Sequence, residues 1–67
     1  MGKKYIDIWE LKKGDKVMDP DGMVWEVREI VRREYAGFFL RATGWDDNDK
    51  FRMVQGYRDK TKVCIVA

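Results

Sequence analysis

Apolar and polar residues alternate along most of this chain at the period of a β-strand, in short runs punctuated by glycine, proline and aspartate. Tyr5-Ile6-Asp7-Ile8 predicts a short edge strand, and Trp9 to Lys13 leads from it into Gly14. A glycine there can take the positive φ that a turn ahead of a strand often needs, and Lys16-Val17-Met18 is that strand. Asp19-Pro20-Asp21-Gly22 then predicts a tight turn, with Pro20 setting φ and Gly22 at positive φ. Val24 to Arg32 is the longest β-like run, and its alternation breaks in the middle. Trp25 and Val27 share a face, but strict alternation would next bury Glu29. A bulge near Arg28 and Glu29 returns Ile30 to the inner face and bends the strand.

Arg33 to Gly37 connects to a strand over Phe38 to Thr43, which places Phe38, Leu40 and Ala42 inward. Gly44 to Lys50 is a polar loop holding Trp45, and Phe51 to Gln55 is a strand that buries Phe51 and Met53. Gly56 to Thr61 suits a turn of 3₁₀ helix, and Lys62 to Val66 is the closing strand. Trp25, Val27, Ile30, Leu40 and Met53 form the expected core, with Trp9 plugging one end. No amphipathic stretch is long enough for an α-helix, so the fold class is all-β.

This order of turns and strands resembles the SH3-like barrels of KOW and Tudor-type modules. The resemblance rests on Leu11 to Val17, with its KOW-like Gly14-Asp15-Lys16-Val17 opening, on the Asp19 to Gly22 turn, on Trp25 to Val31 and on the closing pair of strands. It covers most of the chain and implies a fold alone: a small SH3-like barrel of about five short antiparallel strands with a bent second strand, forming a single domain over residues 1–67. The compact, tryptophan-rich style is also similar to small accessory proteins of bacteriophages.

Composition narrows the function more than the fold. With 39% charged residues but a net charge of only +2, the surface is densely and evenly ionic. Residues 1–34 carry eight basic and eight acidic side chains and the remainder six and four, so there is neither a polybasic tail nor an acidic block. Cys64 is the only cysteine, which excludes an intrachain disulfide; within Val63-Cys64-Ile65-Val66 it is expected to be a buried thiol in a cytoplasmic, reducing setting. No stretch has the character of a secretory leader or a membrane span, and Ile6 stands where a myristoylation signal needs Ser or Thr.

The chain has no histidine and no serine, and Thr43 and Thr61 lie beside no base, so the parts of a nucleophilic triad are missing. One cysteine without histidine cannot supply a zinc site. Asp46-Asp47-Asn48-Asp49 lacks the alternating ligands, central glycine and distant glutamate of a calcium loop. Glu26, Glu29 and Glu34 define no acid–base pair, and no glycine-rich phosphate loop is present. The expectation is therefore a non-enzymatic binding module without metal or cofactor.

Its candidate site is the outward face of the central hairpin. Phe39, Arg41, Arg52 and Val54 point out of it, Arg28 and Arg32 flank it, and Trp45 is either an exposed anchor or a cap folded back over one barrel end. Aromatic and arginine side chains together suit a protein partner, as hot spots, or a nucleic acid, through stacking and phosphate contact. Pairing of Phe39 with Arg41 or Arg52 on an idle face is the plain alternative. Charge favours protein, because each basic segment carries acids such as Glu26 and Glu29; nucleic acid comes second. Pairing of Tyr5 to Ile8 with Val63 to Val66 between copies makes a homo-oligomer the third reading.

Overall fold

The computed structural model describes residues 2–66. Six strands follow from the alternating runs: β1 (Lys3–Asp7), β2 (Lys16–Met18), β3 (Val24–Arg33), β4 (Phe39–Asp46), β5 (Phe51–Tyr57) and β6 (Lys62–Val66). Among the described residues the only helical element is a 3₁₀ turn over Ile8–Glu10, started by Asp7, whose Oδ2 accepts from the Trp9 N–H at 3.0 Å. The 3₁₀ turn expected between Gly56 and Thr61 is absent, because β5 runs on to Tyr57 and a tight turn completes the connection. Gly22 has φ 90°, and its N–H donates to the Asp19 carbonyl at 2.8 Å, as the β2–β3 turn required.

The strands form one antiparallel sheet in the order β1-β6-β2-β3-β4-β5. The β3–β4 register shifts between Val27 and Glu29, so the bulge lies where the broken alternation placed it. Two expectations are corrected. The described residues form six strands and not five, since Lys3–Asp7 pairs along its whole length with β6, and the bent strand is consequently the third. Nor does the sheet close into a barrel: β1 and β5 are its two edges and do not pair with each other. The β1–β6 pairing within the chain also engages the two strands that the homo-oligomer reading had pairing between copies.

The inner face gathers Ile8, Leu11, Val17, Trp25, Val27, Leu40, Ala42 and Val63, with Ile6, Trp9, Ile30, Val54 and Ile65 packed against them. Cys64 is buried as expected. Trp25 also satisfies its indole N–H, which donates to Asp19 Oδ1 at 3.0 Å. Phe38 is not the first inward residue of β4 but a turn residue at φ 63°, half-buried against Trp9.

The expected facing of β5 is reversed. Phe51 and Met53 are 52% and 45% exposed, whereas Arg52 and Val54 lie on the inner side. The β4–β5 hairpin dictates this. Leu40 and Ala42 turn the even residues of β4 inward, and the turn pairs Trp45 with Phe51 and Gly44 with Arg52. Gly44 must itself stay bare, because a Cβ there would strike the Trp25 ring and the Glu26 carbonyl. Cross-strand partners share a face, so Phe51 and Met53 follow Trp45 and Thr43 outward.

Candidate functional site

The outer face of β3, β4 and β5 carries most of the large apolar groups that the core does not absorb, Tyr5 on β1 and Tyr35 in the β3–β4 turn being exposed elsewhere. Trp45 and Phe51, both 52% exposed, meet edge to face with ring centroids 5.2 Å apart. At the other end of the hairpin Phe39 and Tyr57 form a second such pair at 5.5 Å. Met53 on β5 and Val31 on β3 lie between the two pairs and are also exposed. Arg41 crosses the middle, with its guanidinium 5.7 Å from the Phe39 ring and its Nε donating to Gln55 Oε1 at 3.2 Å. Phe39 and Arg41 therefore share the face assigned to them, and the Phe39–Arg41 cation–π contact is present.

Trp45 is neither in a loop nor a cap. It is the seventh residue of β4, pinned outward by its pairing with Glu26 and Phe51. Arg28, exposed at the bulge, and Trp45 border a polar cleft of about 230 Å³ that continues the face toward Asp47 and Asp49. Glu26, Glu29 and Arg33 occupy the β3 side of the same surface, so the flat of the sheet is apolar and its charges are mixed in sign.

Arg52 and Arg32, expected on this face, are elsewhere. Arg52 turns inward at one end of the sheet, where Nη1 lies 3.0 Å from both Asp19 Oδ2 and Asp21 Oδ2, and Nε lies 2.9 Å from Asp46 Oδ2. The side chain retains only 13% of its exposure, and its charge is spent on tying the β2–β3 turn to the β4–β5 turn. Burial works to raise the Asp46 carboxyl, but the backbone N–H groups of Lys50 and Asn48 and the Arg52 guanidinium outweigh it and hold Asp46 below the usual carboxylate range. Asp21 is lowered too, first by the Met23 N–H and then by Arg52. The guanidinium in turn holds its proton more tightly than usual, chiefly through Asp21 and Asp46. Arg32 donates to the carbonyls of Trp9 and Leu11 at 3.2 and 2.8 Å and stacks 5.3 Å over Trp9, which fixes the 3₁₀ turn.

Two structural carboxylates escaped the sequence reading. Asp46, in the polar loop expected over Gly44 to Lys50, instead ends β4, is 5% exposed and accepts from Asn48, Lys50 and Arg52. Asp7 is 8% exposed and joins the 3₁₀ turn to the β5–β6 turn by accepting from Asp59 N–H at 2.7 Å. Aspartate followed closely by donors in a tight turn is the one sequence signal that could have marked Asp46. Among the described residues no group of His, Cys, Asp and Glu is arranged to hold a metal, and no helix is long and apolar enough to cross a membrane. No protein-family model matches the chain, and no curated protein matches it.

Proposed function

We propose that the chain is a non-enzymatic binding module on an SH3-like, incompletely closed barrel, and that it holds a protein partner with the outer face of β3, β4 and β5. The carrying observation is the exposure of Trp45, Phe51, Met53, Tyr57 and Val31 on one side of one sheet, at 41 to 52% each. Contiguous exposed apolar surface of this kind marks interaction sites, and Trp, Tyr and Arg are the residues that most often anchor them. Trp45 with Phe51 and Phe39 with Tyr57 supply two anchors, and Arg41 supplies a polar contact between them.

The charge on the face supports a protein over a nucleic acid. Arg28, Arg33 and Arg41 are interspersed with Glu26 and Glu29, whereas a nucleic-acid surface concentrates cations in a patch or stripe. Affinity capture from host lysate with Trp45→Ala and Phe39→Ala beside the parent tests the reading, and each substitution should weaken the captured partner by about thirtyfold, the equivalent of a hot spot of about 2 kcal/mol. Binding to arbitrary oligonucleotides that falls steeply with salt, and that Arg41→Gln flattens, would transfer the site to nucleic acid.

A further inference from the structure

β5 is one edge of the sheet, and its hydrogen-bond phase decides what that edge offers. Arg58 N–H donates to the Phe38 carbonyl and Asp46 N–H to the Lys50 carbonyl, both at 3.0 Å, which brackets the β4–β5 ladder. Arg52, Val54 and Gly56 therefore bond to β4, and the N–H and C=O groups of Phe51, Met53 and Gln55 point away from it. Tyr57 belongs to the same set but is engaged: its carbonyl accepts from the N–H groups of Lys60 and Thr61 at 3.1 Å, and its N–H donates to Thr61 Oγ1 at 3.3 Å. No backbone bond from the described residues reaches the other three, and all three are exposed.

Edge strands are usually blocked by lysine, proline, a bulge or an inward charge. β1 carries Lys3 and Lys4, whereas β5 has no lysine, proline or bulge. Its one inward charge, Arg52, is already neutralised by Asp19, Asp21 and Asp46. The turns at the two ends of β5 differ in charge. Asp47 and Asp49 are exposed in the β4–β5 turn, and Arg58 and Lys60 are exposed in the β5–β6 turn. Lys50 offsets one acid of the first turn and Asp59 one base of the second, which leaves the two oppositely charged. Asp47, Asp49 and Lys60 form no ion pair among the described residues.

We propose that β5 is a homodimer seam, at which a second copy of the chain adds its own β5 antiparallel across a two-fold axis through Met53. In this register Met53 faces Met53 of the second copy and Phe51 faces Gln55, so each of the three free residues exchanges both its N–H and its C=O. A shift of the register by two positions spoils the match in either direction. One shift sets Phe51 against Tyr57, whose groups are engaged, and the other sets Gln55 against Asp49, whose N–H donates to the Asp46 carbonyl at 3.0 Å. Charge selects a second copy as the occupant, because antiparallel pairing lays the acidic turn of each copy beside the basic turn of the other. Cross-strand partners share a face, so the exposed Phe51 and Met53 of both copies lie on one side and the outer face continues across the seam. The seam does not rest on the outer-face reading, and it leaves β1 paired with β6 within each chain.

The test is sedimentation of the full chain over a concentration series, with amide hydrogen exchange recorded at both ends of the series. The parent should pass from monomer to dimer, and the dimer should slow exchange at Phe51, Met53 and Gln55. Met53→Lys sets like charges against each other at the two-fold axis from an exposed position, so it should weaken the dimer about tenfold in a chain that circular dichroism shows to be folded. Asp47→Lys and Lys60→Glu should each weaken self-association about tenfold, the scale of two exposed ion pairs per dimer. An equimolar mixture of those two variants should recover the dimer, because each supplies the charge that the other lacks. Trp45→Ala should dimerise like the parent, which separates the seam from capture of a partner on the outer face. A Met53→Lys dimer as tight as the parent's, a mixture no more associated than its components, or a dimer lost in Trp45→Ala would each overturn the proposal. A parent that stays monomeric at millimolar concentration would overturn it too, and would leave the edge to a strand of another protein.

Discussion

Arg52 joins three carboxylates from two turns, and its removal leaves Asp46 covered and without its cation. Arg52→Gln should therefore lower the melting temperature clearly, whereas Arg41→Gln, exposed on the outer face, should stay within about 0.5 kcal/mol of the parent. The same cluster sets an acid dependence. Asp21 and Asp46 have folded-state pKa values below their unfolded ones, so the stability they add is fully present above the unfolded carboxylate range of about 4 and is lost as pH falls through the lowered folded values. Melting curves recorded from about pH 6 downward should show a decline that begins near pH 4, and Asp46→Asn should make it shallower. A flat acid limb in the parent would rule out this linkage.

β5 can be tested as an element by the contrast between adjacent positions. Met53→Gln changes an exposed side chain and should shift stability by no more than about 0.5 kcal/mol, whereas Val54→Asp puts an unpaired charge against the core and should reduce it severely. Urea unfolding of the two variants decides, and the reverse order would mean that β5 faces the other way. The reversal also shows where local pattern stops being informative. Phe51 and Met53 are the more hydrophobic set, and by alternation alone they belong inside. What places them outside is non-local: the register of the hairpin, a glycine that must lie under Trp25, and three carboxylates that make an inward Arg52 acceptable. By contrast the β3 bulge, the Gly22 turn and the burial of Leu40 were legible, because each follows from residues adjacent in sequence. Half of the outer face was legible for the same reason, since Phe39 and Arg41 alternate regularly with Leu40 and Ala42; Phe51, Met53 and Tyr57 depend on β5 and were not.

Across the whole molecule one small core must support six strands, so each central side chain weighs heavily. Leu40, fully buried, should lose about 2 to 5 kcal/mol on replacement by alanine, which approaches the entire stability of so short a chain. Its urea midpoint should fall toward zero, and a midpoint equal to the parent's would refute the core assignment. The pairing of β1 with β6 bears on how the molecule responds to tension. Lys3 stands opposite Val66 and the strands run antiparallel, so a load drawn outward through those two residues meets the Lys3–Val66 pair first and passes along the ladder to Asp7–Lys62 one pair at a time. β6 is then left joined to β2 at the single Val17–Ile65 pair. Hydrogen bonds loaded singly, each worth about 1 kcal/mol net, give way in sequence at low force. Pulled through Lys3 and Val66, the fold peels open like a zip and does not shear.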